Sequence, residues 1–165
     1  MQLQSYKSLK EGYTLIELLV GITIISIVFT IGYAGFREFS RRQALGGVTK
    51  AIKADLRLTQ QLASTGQKPT TGTCTQLSSY RFYIYSATST YKIYANCSNP
   101  ASTNILVKTV SLDSDISITL PPTPVYILFK VLGQGTNLTS DYVIELDHTS
   151  GDSSTVTVGT GGEIN

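Results

Sequence analysis

Between Thr14 and Phe36 lie 23 residues with a single charge, Glu17, and no other stretch constrains this chain as much. At 1.5 Å per residue, a helix of that length is roughly 34 Å long, enough to cross the ~30 Å hydrocarbon layer of a bilayer. Lipid offers the backbone no water, so a single segment that crosses it must be helical. Ile22, Thr23, Ile24, Ile25, Ile27 and Val28 are β-branched and weaken a helix in water. In lipid, unsatisfied peptide groups outweigh that loss. Residues 13–36 therefore read as a transmembrane helix. Glu17 is the anomaly, because a carboxylate deep in a bilayer costs about 2.5–3.5 kcal/mol and less near a helix end. Either it snorkels from one turn inside the membrane edge, or it has a charged partner.

A short charged leader precedes the run: Lys7, Lys10, Glu11 and then Gly12. A secretory signal would end its apolar core with a small-residue cleavage site. Here Arg37-Glu38-Phe39-Ser40-Arg41-Arg42 follows instead. The order of basic leader, Gly12, Tyr13, Thr14-Leu15-Ile16-Glu17-Leu18 and apolar helix resembles the class III signal of type IV prepilins and pseudopilins. That resemblance implies a leader, residues 1–12, removed by a membrane prepilin peptidase between Gly12 and Tyr13. It implies N-methylation of Tyr13, where the family usually has Phe. It further implies an assembly charge pair between Glu17 and the amine of Tyr13, in the same or a neighbouring subunit. A buried charge is costly without its partner, so such a pair favours correct axial register more than raw stability.

At 165 residues, with 41% hydrophobic and 15% charged residues, the chain has room for one membrane segment and one domain of about 100 residues. Removing Lys7, Lys10 and Glu11 from the 13 basic and 11 acidic residues leaves 11 and 10, a net of +1. That balance announces neither nucleic acid nor an anionic membrane surface as a partner. The basic residues flanking the run lean against a cytoplasmic leader, since Arg37, Arg41 and Arg42 outnumber Lys7 and Lys10. The prepilin-like motif and the cysteines favour the opposite orientation, a cytoplasmic N-terminus and an extracytoplasmic C-terminal domain. That orientation is adopted.

Residues 37–66 read as an amphipathic helix continuing the stalk. Leu45, Val48, Ile52, Leu56, Leu62 and Ala63 fall near spacings of three and four. Gly46-Gly47 is a weak point where the helix can bend, and Gly66 suits a C-terminal cap. The expectation is one helix of about 54 residues, with two helices hinged at Arg37 to Arg42 as the alternative. The β-rich domain, residues 67–165, opens after a Thr/Gly loop. Tyr80–Tyr85 and Tyr91–Ala95 read as an antiparallel hairpin, and five of the ten tyrosines lie in them. Further strands are expected at Asn104–Leu112, Asp115–Leu120, Val125–Leu132, Asp141–Asp147 and Thr155–Gly159, with Pro121-Pro122-Thr123-Pro124 breaking the pattern. The fold class is α+β: a long N-terminal helix, membrane-spanning then amphipathic, packed on an antiparallel β domain as a sheet or small sandwich.

Cys74 and Cys97, an even count in a domain placed outside the cytoplasm, fit one disulfide; two free thiols are the alternative. Nothing assembles an active site, so no enzyme activity, cofactor or small-molecule substrate is expected. Asp147, His148, Thr149 and Ser150 are too close in sequence to converge as a catalytic triad. His148 is the lone histidine, and no metal set surrounds it. Gly133-Gln134-Gly135 and Gly159–Gly162 read as turns. Asp141, Glu145, Asp147 and Asp152 read as a solvated acidic edge rather than a calcium loop. Asn96-Cys97-Ser98 and Asn137-Leu138-Thr139 match glycosylation sequons, which are common by chance in such a chain.

The second half-helix, Ala54 to Ala63, resembles the pseudopilin H and FimT-like group, as do Ile127–Gly133 and the final turn and strand Gly159–Ile164. The reading is a non-enzymatic minor pilin or pseudopilin of a type IV pilus or type II secretion-like filament. Its partners are the membrane, the prepilin peptidase, other pilin or pseudopilin subunits and the assembly machinery. Two alternatives stand beside it: a FimT-like pilin binding DNA for uptake, and a signal-anchored surface adhesion protein. Five basic against seven acidic residues beyond position 66 disfavour DNA, because polyphosphate needs clustered Lys and Arg.

Overall fold

The computed structural model describes residues 12–99, 103–121 and 125–165, so most of the leader and Pro122–Pro124 lie outside the described residues. The chain divides into two units, residues 1–40 and 41–165. One helix, α1, is continuous from Leu15 to Thr65 and contributes to both. Gly46-Gly47 leaves it unbroken, and no interruption falls at Arg37 to Arg42.

The first unit is apolar helix. Its large apolar side chains from Leu15 to Phe39 are all exposed, and it is the one described segment long and apolar enough to cross a membrane. Three of its hydroxyls are satisfied by the helix itself. Thr23 donates to the Val20 carbonyl, Ser26 to Ile22 and Thr30 to Ser26, each at 2.8 Å. Hydroxyls that fold back in this way present no unpaired donor to lipid.

The second unit joins the other half of α1 to seven strands. These are β1 (Gln76–Tyr85), β2 (Thr90–Asn99), β3 (Thr103–Ser111), β4 (Ile116–Thr119), β5 (Tyr126–Lys130), β6 (Tyr142–His148) and β7 (Ser153–Val158). They form two antiparallel sheets, ordered β3-β2-β1-β5 and β4-β6-β7. The seven segments expected from alternation are all present, with shifted ends. The first two strands run four residues further than expected, to Gln76 and Asn99, and the fifth ends two residues short. It stops at Lys130 because Leu132 takes a left-handed conformation (φ 55°) and the Lys130 amide pairs with the Gly135 carbonyl at 2.9 Å, which turns the chain back.

Strand alternation builds the core. Tyr80, Phe82 and Ile84 of β1 point inward beside Tyr91, Ile93 and Ala95 of β2, while Ile144 and Leu146 of β6 meet Val156 and Val158 of β7. Leu45, Ile52, Leu56 and Ala63 of α1 complete one continuous cluster with both sheets. After Thr65 the helix stops in a Schellman arrangement. The Gln67 amide bonds to the Leu62 carbonyl and the Gly66 amide to Ala63, both at 3.1 Å, with Gly66 at φ +65°.

Candidate functional site

In the first unit, Gly12, Tyr13 and Thr14 precede the helix, and the Thr14 side chain starts it. Its Oγ1 accepts the Glu17 amide at 3.3 Å, and its carbonyl accepts the Leu18 amide at 3.2 Å. Thr14-Leu15-Ile16-Glu17 thus has the spacing of a capping box, with the acid at the third helical position. A carboxylate in the first turn also faces the positive end of the helix dipole. The Thr-x-x-Glu spacing is a signal of this helix start carried by the sequence itself. Tyr13 is 85% exposed and Glu17 is exposed as well, one turn further on. At the other end of the apolar stretch, the Arg37 guanidinium lies 5.9 Å from the centroid of the Tyr33 ring. An aromatic and a cation together suit the lipid–water boundary.

In the second unit, Cys74 and Cys97 form a disulfide with their Cα atoms 5.6 Å apart. It ties the loop after α1 to the end of β2, and Cys97 is fully buried.

The least foreseeable feature is a polar cluster on the buried face of α1. Thr49, Asp55 and Thr59 are buried there beside Ile52 and Leu56. Thr49 donates to the Leu45 carbonyl and lies 3.1 Å from Ser154 Oγ of β7; Thr59 donates to the Asp55 carbonyl. Asp55 receives the Tyr91 hydroxyl of β2 at 2.7 Å and Lys108 Nζ of β3 at 2.7 and 2.8 Å on its two oxygens. A buried carboxylate requires such partners. Burial, and then the Asp55 carboxylate, push the Tyr91 hydroxyl well above the ordinary tyrosine range, so Tyr91 remains a donor. Lys108 keeps 43% of its side chain in solvent. The cluster is a structural clamp between helix and sheet. No spacing rule in the sequence connects residues 55, 91 and 108.

Gln60 reaches the final turn, donating to the Gly162 carbonyl at 3.0 Å. Gly162 sits at φ +95°, a conformation that favours glycine, and a Cβ there would crowd the end of the Gln60 side chain. Residues 164 and 165 then pair along β7, with Asn165 and Thr157 exchanging two backbone bonds of 3.0 Å.

The remaining motifs fall into local roles. Ser150 Oγ is 2.8 Å from His148 Nδ1 and 3.3 Å from Asp152 Oδ2, all within the exposed β6–β7 turn. Asn137 spends its amide on the β5 backbone, accepting from the Leu128 amide and donating to the Tyr126 carbonyl. That removes it as a free sequon asparagine. Among the described residues, no three His, Cys, Asp or Glu side chains are grouped to hold a metal ion.

Residues 7–33 match the prokaryotic N-terminal methylation motif. The fold is similar to that of the minor pseudopilin EpsH from the type 2 secretion system of Vibrio cholerae (TM-score 0.54, 8% identity, 73% of this chain and 94% of that one). It is equally similar to the type IV minor pilin FimU of Pseudomonas aeruginosa (TM-score 0.55, 9% identity, 77% and 90%). No curated protein matches the sequence. The chain thus carries a prepilin-type N-terminus on a type IV pilin-like fold. The motif match covers the N-terminal segment, and the two structural likenesses are likenesses of fold.

Proposed function

We propose that the chain is a minor pilin or pseudopilin, a non-enzymatic subunit inserted in the cytoplasmic membrane with its N-terminus inside and its β domain outside. Prepilin peptidase removes residues 1–12, Tyr13 becomes the methylated amino terminus, and Glu17 pairs with that amine during docking. One observation carries this reading: a fully exposed apolar helix whose lone carboxylate lies one turn from the cleavage site. An unpartnered surface of that size needs lipid or neighbouring helices to cover it. The Cys74–Cys97 bond supports an oxidising compartment for the domain. As a subunit, it joins other pilin or pseudopilin chains and the assembly machinery of a pilus or secretion filament, most like the pseudopilin H and FimT-like group.

Mass spectrometry of the membrane fraction tests the proposal. The wild-type chain is expected to begin at methylated Tyr13, and Gly12→Asp to retain the leader. An intact Met1 start in filament-associated protein would overturn it.

A further inference from the structure

The two sheets of the β domain carry opposite charge. The four strands of the larger sheet contain Arg81, Lys92, Lys108 and Lys130 and not one acidic residue. Lys108 is turned to Asp55; the other three lie on or beside the outer face. That face is built on tyrosine. Tyr83 has ring centroids of Tyr126, Tyr94 and Tyr85 at 4.8, 5.6 and 6.2 Å around it. Arg81 lies 5.3 Å from the Tyr126 ring and Lys92 5.3 Å from Tyr85.

Residues 131–165, by contrast, hold five acidic residues and neither Lys nor Arg. On the outer face of the smaller sheet, Glu145 and Asp147 of β6 stand between the hydroxyl residues Thr119 and Ser117 of β4 and Thr155 and Ser153 of β7. Asp141 and Asp152 flank the same strand pair.

We infer that the tyrosine face of one subunit docks on the acidic β6–β7 face of a second copy of this chain. Tyrosine and arginine are the side chains enriched at interface centres, because they bring area with few rotamers to freeze. Three cations, two of them already laid over rings, are too few and too spread to hold a polyphosphate. They do match a pair of carboxylates set among neutral hydroxyls, and complementary patches of this kind set register and choice of partner. The contact joins two different patches, so each copy can offer one face and receive the other. It rests on the filament reading only for where it operates: subunits held side by side by their N-terminal helices meet at high local concentration.

The test uses the full chain in its membrane, with two differently tagged copies co-expressed. Tyr94 of one copy is replaced by photoreactive p-benzoyl-phenylalanine. The expected result is a covalent dimer whose adduct maps to residues 141–155 of the other copy. Arg81→Glu with Lys92→Glu is expected to lower the yield about tenfold, and Glu145→Lys with Asp147→Lys in the other copy to restore it. Restoration in trans cannot come from a misfolded domain, and an intact Cys74–Cys97 bond checks folding independently. Where the double variant does not accumulate, Lys92→Glu alone is paired with Glu145→Lys in the same way. An adduct to another protein, to lipid, to nucleic acid or to a different face of the copy would overturn the inference, as would a yield indifferent to charge reversal. Sequencing the N-terminus in the same membranes separates the two readings: a retained leader sinks the filament proposal, while the adduct map still decides the contact.

Discussion

The two halves of α1 use the same secondary structure for opposite purposes. From Leu15 to Phe36 the helix is apolar save for Glu17, its large apolar side chains are exposed, and Thr23, Ser26 and Thr30 bond to their own backbone. From Arg41 to Thr65 it has one buried stripe, and three polar residues on that stripe are tied to strands or to the helix. Glu17, at the start of the first half, is the one charge between Leu15 and Phe36. The second half is specified residue by residue. Continuity of a helix thus says little about function; what covers each face does.

Glu17 should therefore be the most consequential residue of the first half. If it pairs with the Tyr13 amine, Glu17→Leu leaves a cation buried without its anion, at a cost of about 3–5 kcal/mol, a factor of a few hundred or more in subunit recruitment. The variant is expected to be processed and held in the membrane yet missing from sheared filaments. Thr14→Ala sharpens the contrast, because it removes the cap and keeps the charge, costing only about 1 kcal/mol. An unchanged ratio of filament to membrane protein in Glu17→Leu would reduce the carboxylate to a helix cap.

In the second half the effect moves from assembly to folding. Leu56 is fully buried, whereas Leu58 is 39% exposed on the same turn. Leu56→Ala should destabilise the domain by about 3 kcal/mol and Leu58→Ala by less than about 0.5 kcal/mol. Leu19→Ala, in the exposed apolar half, should leave the unfolding midpoint in detergent unchanged. Reduction of Cys74–Cys97, which closes a sequence separation of 23, should cost roughly 3 kcal/mol by the chain-entropy account. Urea titrations of the full chain in micelles would check all four, and equal losses for Leu56 and Leu58 would break the comparison.

The sequence revealed what depends on pattern along the chain. The apolar run, the helical stripe of Leu45, Ile52, Leu56 and Ala63, the Gly66 stop and all seven strands follow from period or local chemistry. It did not reveal what depends on juxtaposition. Asp55 lies on the buried stripe against every expectation for a carboxylate, and only folding brings Tyr91 and Lys108 to it. The division of charge between the sheets was half visible, as acids without cations late in the chain. Its counterpart, the tyrosine face, needed the β1–β2 and β1–β5 registers. Of the candidate assembly residues, Gly12, Tyr13 and Glu17 follow from the resemblance to a prepilin signal, while the Thr14 cap on the Glu17 amide emerges from the structure.

The most specific expected effect lies in pH. Burial and the Asp55 carboxylate hold the Tyr91 hydroxyl protonated in the folded domain, above the ordinary tyrosine value of 10.0. Below about pH 10 both states keep the proton, so the contribution of Tyr91 is constant there. Above it the unfolded chain loses the proton while the folded domain retains it. The folded state then binds more protons, and stability falls with rising pH by up to about 1.4 kcal/mol per unit. Burial raises Tyr80 and Tyr142 in the same direction, so they add to the slope. Tyr91→Phe should cost about 1–2 kcal/mol at pH 7, because Asp55 loses a donor and keeps only Lys108. Between pH 10 and 11 the same variant should lose stability less steeply than wild type, by up to one proton's worth of slope. Lys108→Met makes the complementary change, since it removes the cation and leaves the Tyr91 donor in place. Its alkaline slope should remain close to that of wild type. Urea midpoints of the full chain in micelles at pH 7, 9, 10 and 11 measure both variants. Parallel curves for Tyr91→Phe and wild type would mean that the tyrosine ionises freely in the folded domain, and that the helix is not clamped to the sheet through it.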